Sequence, residues 1–167
     1  MESDKGAGGV RSDLLGSPLE LPCGLRLQNR PEKAAMSDSL ADGAGQPTDE
    51  QIELSRRWAL GGVGLSIIGE VHVDPRYPEK PGNLVSGDER NRRSFELLAR
   101  AGAEGGSHLW PQLGHAGALA HGPISRPAGP SALDVDGLVC AELSLGEIEG
   151  LPRRYAHAAL RARSDGF

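Results

Sequence analysis

Thr48 to Asp74 reads TDEQIELSRRWALGGVGLSIIGEVHVD, and the order of its parts decides the fold. Thr48 stands where a helix N-cap would, with Gln51 at the reciprocal capping-box position, and Asp49 and Glu50 complement the positive end of a helix. Leu54 and Trp58, four apart, fall on one side of it. The glycines of GGVG stop the helix, and LSIIGEVHVD follows at once. Its apolar density at Leu65, Ile67, Ile68, Val71 and Val73 predicts a strand buried on both faces. A helix feeding such a strand is one step of a parallel α/β chain.

Working outward, the step repeats. Beyond the proline-rich loop DPRYPEKPGN, Asp88 to Gly102 places Phe95, Leu98 and Ala101 at helical spacing. Gly105 and Gly106 then lead into Ser107 to Gly117, SHLWPQLGHAG, a predicted buried strand with a polar tip. Gln112 offers an amide donor pair and a carbonyl acceptor, as a reader of a planar imide edge needs, and His115 lies just beyond. Ala118 to Glu142 reads as irregular. Ser144 with Glu147 signals a third helix carrying Ile148, Leu151, Tyr155, Ala158 and Ala162 on one stripe, which Pro152 is expected to kink or to start later. Upstream, LELPCGLRLQNR predicts a small hairpin around a Pro-Cys-Gly corner. In KAAMSDSLAD, Ala34 and Ala35 let a backbone come close to a flat ligand and Ser37 places a hydroxyl there. Residues 1–17 read as a flexible leader and 18–167 as one domain.

The 167 residues include 24 glycines and 12 prolines, which mark many turns. A net charge of −5 without a basic cluster argues against nucleic acid or an anionic membrane surface as partner. No apolar run is long enough to span a bilayer and the N-terminus lacks a signal-peptide core, so the expected location is cytoplasmic. Cys23 and Cys140 form no motif. Glu70, His72 and Asp74 alternate along one strand with no second cluster to complete a metal site, so no metal is expected. There is no GxGxxG opening a helix, no phosphate-binding GxxxxGK and no nucleophile elbow. Alternating strands and helices leave a doubly wound sheet or a β/α barrel.

A set of motifs in fixed order separates the two: LRLQNR, KAAMS, GGVGLSIIGEVHVDPR, PGN, QLGHAG, PSAL and ELSLGEIEGLPRRYAHAALRARSDGF. From Leu19 onward the chain resembles the N-terminal part of the old yellow enzyme family, FMN-dependent NADH:flavin oxidoreductases built on a (β/α)8 TIM barrel. The resemblance implies FMN as cofactor, NAD(P)H as reductant and a small-molecule substrate such as an activated alkene. It implies that Ala35 and Met36 contact the flavin through backbone groups, with Ser37 beside the reactive edge. Val71 matches a position that approaches the isoalloxazine through its main chain, and Gln112 the glutamine that bonds the pyrimidine edge. His115 either orients its loop or faces the substrate. Ala118 and Leu119 replace the end of the family's HxGR, and Ala35 replaces a proline.

The family's substrate-holding histidine pair and phosphate site fall beyond Phe167, so the resemblance places no catalytic residue in this chain. About three parallel strands with their helices are expected, an incomplete barrel with two open edges and an uncovered inner face. Poor solubility and weak FMN binding follow unless something covers it. The chain then reads as an oxidoreductase part, as a catalytically inactive truncated fragment, or as one subunit of a split barrel that a complementing chain or a homo-oligomer completes.

Overall fold

A computed structural model describes residues 12–167, and the first eleven residues of the predicted leader lie outside the described residues. In chain order the elements are α1 (Ser12–Leu15), β1 (Leu19–Glu20), β2 (Arg26–Leu27), β3 (Glu32–Lys33), α2 (Asp49–Leu60), β4 (Leu65–His72) and β5 (Leu84–Val85). They continue with α3 (Arg92–Gly102), β6 (His108–Gly114), β7 (Ala128–Gly129), β8 (Leu133–Val135), β9 (Leu138–Glu142) and α4 (Leu145–Asp165). The strand predicted from LSIIGEVHVD is the axis of the molecule: β4 pairs in parallel with β3, β5 and β6. Leu65, Ser66, Val71 and His72 are each paired on both edges, so β3 and β5 succeed one another along the edge opposite β6. Between them Ser37 bridges to Gly69. The sheet is open, with no closed barrel among the described residues.

Helices α2 and α3 pack against this sheet. The core joins Ile52 of α2, Ile68 and Val71 of β4, Leu84, Leu109, and Phe95, Leu98 and Ala101 of α3. Leu98 is fully buried, and burying a side chain of that kind contributes about 1.5–3 kcal/mol. The stripe of α3 thus falls where its spacing predicts, after a 3-10 turn at Glu89–Asn91.

The buried face of α2 corrects the sequence reading. Gln51, Ile52, Ser55 and Ala59 point inward, while Trp58 is 42% exposed. Thr48 does cap, its side chain accepting from Gln51 N, but the Gln51 amide turns away from the cap and donates to Asp38 Oδ1 at 2.8 Å. A part-buried carboxylate on the neighbouring loop outcompetes the cap backbone for that side chain.

Strand β6 departs from a fully buried strand: Leu109 is buried, whereas Trp110 and Gln112 are exposed on the other side of the pleat. Pro111 fits because, among the described residues, β6 pairs on one edge only, and a missing donor on the other edge costs least. The stretch predicted as irregular holds a small sheet ordered β7-β9-β8. Asp136 and Gly137, both at positive φ, turn β8 into β9, a pair that suits a two-residue hairpin turn. Helix α4 runs from Leu145 through Pro152 to Asp165, so Pro152 lies inside it and the later start is overturned. A complete capping box of Ser144 and Glu147 fixes its beginning, and Pro152 falls on the exposed side. The hairpin β1–β2 forms as predicted around Pro22 to Gly24. Among the described residues no helix is long and apolar enough to cross a membrane.

Candidate functional site

The C-terminal ends of β3, β4 and β6 lie side by side, and the loops leaving them carry the residues singled out from the sequence. Ala35 to Ser37 follow β3 and run along β4, fastened by the Ser37–Gly69 bridge. In β4 the pairing with β6 shifts between Ile68 and Val71, so Gly69 and Glu70 bulge out of register. Gly69 sits at the meeting point. A Cβ placed there would lie 2.9 Å from Gln112 Oε1, 3.1 Å from Ala35 Cβ and 3.4 Å from Met36 N. Two separate segments, the loop after β3 and strand β6, therefore converge on a position of β4 that only a glycine leaves open. Val71 is 1% exposed, packed into the core beneath the bulge. Met36 and Ser37 are exposed, as is Gln112 on the outer side of β6.

His115 stands apart from this group. Its side chain is 9% exposed, with Nε2 3.9 Å from Asp74 Oδ2, and its ring lies 4.9 Å from the Tyr77 ring, centroid to centroid. Burial pushes the imidazole below its usual pKa, against the pull of the Asp74 charge. Asp74, itself 1% exposed, is the hub here. Arg76 grips both carboxylate oxygens, with Nη2 2.9 Å from Oδ2 and Nε 3.1 Å from Oδ1. Arg154 of α4 adds Nε at 3.4 Å, and Arg76 reaches on to Glu147 at 3.1 Å. Burial works to raise the Asp74 pKa, but the hydrogen bonds and charge of Arg76 outweigh it and hold the carboxyl below its usual range. The cluster ties the loop after β4, the loop after β6 and the start of α4 into one unit.

The sequence reading did not find Asn83 or the partners of Asp74. Asn83, 3% exposed, donates from Nδ2 to Ser37 Oγ at 3.0 Å. Its only signal was the PGN motif, which marks a turn and says nothing of where its amide points. His72 is fully buried and its Nε2 accepts the Glu79 backbone N–H at 3.1 Å, so one ring nitrogen is already engaged in holding the loop. A groove of about 590 Å³ runs between the loop after β5 and α4, lined by Val73, Ser86, Arg90, Arg154 and His157, and holds none of the residues predicted from the sequence.

No protein-family model matches the chain. It is 30% identical over 174 residues to the NADH-dependent flavin oxidoreductase iliE of Hypocrea jecorina (strain QM6a), covering 90% of this chain and 43% of that protein. It is likewise 30% identical over 151 residues to the NADH oxidase of Thermoanaerobacter brockii, covering 86% of this chain and 23% of the relative. Among solved structures, the Old Yellow Enzyme from Pichia sp. AKU4542 superposes with a TM-score of 0.82 at 20% identity, over 92% of this chain and 44% of that one. The chain spans less than half the length of the curated relatives it matches. With the parallel strands in this order and these relatives aligned to it, the chain resembles the N-terminal portion of the old yellow enzyme family of NADH:flavin oxidoreductases.

Proposed function

We propose that this chain is the flavin-holding N-terminal part of an FMN-dependent NAD(P)H:flavin oxidoreductase that acts on a small activated alkene. The observation that carries the reading is the convergence of Ala35, Met36, Ser37 and Gln112 around Gly69, with Val71 two residues further along β4, at the strand ends where β/α barrels place their sites. The donor set suits a flat, imide-bearing ring. Gln112 offers an amide to an imide edge, Ser37 a hydroxyl, and Ala35 and Met36 a close border that Gly69 keeps free of side chain, with the main chain of Val71 next along β4. Bound FMN would supply the two-electron chemistry, accepting hydride from a nicotinamide and passing it to the alkene. The names of the relatives specify NADH, which supports a nicotinamide as the reductant.

In this reading His115 orients the loop after β6 through Asp74 and Tyr77 and does not touch substrate. No residue of the chain is assigned as proton donor to the alkene. The exposed Trp110 side of β6 and its unpaired edge are the surfaces that further barrel strands would cover, so the flavin site is completed by a complementing segment.

Titration of the purified chain with FMN, followed by flavin fluorescence and absorbance, tests this directly. The same titration is made on the chain co-expressed with the polypeptide encoded immediately downstream. The expected result is weak or no binding alone and saturable binding together. Saturable micromolar binding by the chain alone would overturn the need for completion. Binding in neither preparation would retire the flavin reading in favour of an inactive fragment.

A further inference from the structure

We infer that Asn83 is a positioning residue for Ser37, committing the Ser37 hydroxyl to act as a hydrogen-bond donor toward the strand-end face. A hydroxyl has one hydrogen and two lone pairs. In the structure Asn83 Nδ2 donates to Ser37 Oγ at 3.0 Å and so occupies a lone pair. The Ser37 hydrogen is then left to an acceptor on the open side, where Ser37 is exposed. A ligand edge with a ring nitrogen or carbonyl acceptor is what such a group recognises.

The geometry around Asn83 leaves its amide little freedom. Its backbone N–H bonds Lys80 O at 3.2 Å, the preceding Gly82 carbonyl accepts from Ala41 N at 3.0 Å, and the following Leu84 pairs with Val71. Ser37 is fixed from its own side by the bridge to Gly69. Both partners are therefore held to β4, the strand whose bulge forms the centre of the candidate site. Asn83 is also costly where it stands. Its Oδ1 is buried without a hydrogen-bond partner, and an unmet acceptor of this kind costs more than an apolar side chain of similar shape. What offsets that cost is the bond its nitrogen makes to Ser37. The opposite orientation of the amide would reverse the outcome: Oδ1 would take the Ser37 hydrogen, and Ser37 would face the site as an acceptor.

The experiment reads this polarity through a thiol. The only described cysteines are Cys23, exposed, and Cys140, buried, so the background is the full chain carrying C23S. In that background the pH dependence of alkylation by iodoacetamide gives the pKa of the introduced thiol in S37C, and again in S37C/N83L. A nitrogen donor stabilises the thiolate, so S37C is expected to titrate roughly one unit below S37C/N83L. Equal values, or S37C titrating above S37C/N83L, would overturn the proposal. S37C/N83D adds a variant of opposite sign, since a carboxylate in place of the donor raises the thiol pKa. If N83L fails to fold, S37C alone still decides: a thiol below the ordinary value of about 8.5 supports the donor, and one above it overturns the donor.

The identity of the ligand rests on the flavin reading, and a second measurement separates the two. In an FMN-loaded assembly, N83L and S37A are expected to shift the flavin midpoint potential in the same direction and by non-additive amounts. Additive shifts would overturn the coupling of Asn83 to Ser37. Absence of FMN binding would remove the flavin reading while leaving the thiol result to judge the polarity.

Discussion

On the Ser37 flank of the strand-end face the fastenings are amides: Asn83 Nδ2 on Ser37 at 3.0 Å, and Gln51 Nε2 on Asp38 at 2.8 Å. On the His115 flank they are charges: Arg76 and, at 3.4 Å, Arg154 hold the Asp74 carboxylate, and the His115 ring is packed 3.9 Å from it. An amide donor keeps its polarity at every ordinary pH, whereas a carboxylate and an imidazole change charge. The difference teaches that one side of the site is built to keep a hydrogen-bond pattern constant. The other is built to hold three chain segments together by electrostatics, and it is the side that acid will loosen.

Removing the charged hub is expected to have the largest effect. Asp74→Ala leaves Arg76 and Arg154 facing one another without their shared buried carboxylate, and breaking ion pairs to a carboxylate buried in this way costs about 3 kcal/mol. The figure stays at the low end because Arg76 is half-exposed and regains water. Denaturant unfolding of the variant is the check, and a loss no greater than that of a surface substitution would break the contrast between the flanks.

On the other flank, Gln51→Ala removes a donor that is 1% exposed and bonded to a carboxylate. A cost of about 2 kcal/mol is expected, a little less than for Asp74, because hydrogen bonds to charged groups contribute about 1.5–3 kcal/mol. The amide does not titrate, so the destabilisation is expected to be the same at pH 5.5 and at pH 7.5. A difference that grows between those two values would place charge, not amide geometry, in command of the Ser37 loop.

The unequal legibility of the two flanks has a physical basis. The apolar periods of β4 and α3 and the capping pair of α4 are local signals, and each element formed where its residues predict. What escaped was set by distance along the chain. Gln51 looks like a capping-box residue until Asp38, thirteen positions earlier, is seen beside it. Trp58 has the spacing of a core residue but lies on the exposed side of its helix, and only the placement of the sheet shows that Ser55 and Ala59 face inward. The hairpin of β8 and β9 was hidden because Leu133, Val135 and Val139 remain exposed, so no buried period announces it. Likewise the motif positions of Ser37 and Gln112 were readable from family resemblance, yet Asn83 and Arg154 come from 46 and 80 residues further along to meet Ser37 and Asp74. A turn motif and a helix face say nothing about such partners.

His115 gives the smallest and sharpest test of the comparison. Burial lowers its pKa below the ordinary 6.5, with Asp74 acting in the opposite direction, and Arg76, Arg154 and His72 adding to the depression. The sign follows from linkage: the unfolded chain takes up a proton at a higher pH than the folded one, so stability is fully present above about 6.5 and declines as the pH falls toward the folded value. Asp74 continues the same trend at lower pH, because its depressed pKa makes its contribution fade as the solution acidifies below the ordinary carboxylate range. His115→Gln keeps a polar group of similar reach but removes the titration. The variant is expected to match the wild type in how its stability changes above pH 7 and to show a shallower decline between about pH 6.5 and 5. A profile that parallels the wild type through that interval would mean that His115 does not carry the acid response there. Equal profiles in Asn83→Leu and wild type over the same interval complete the contrast, since the Ser37 flank has no proton to gain there through that amide.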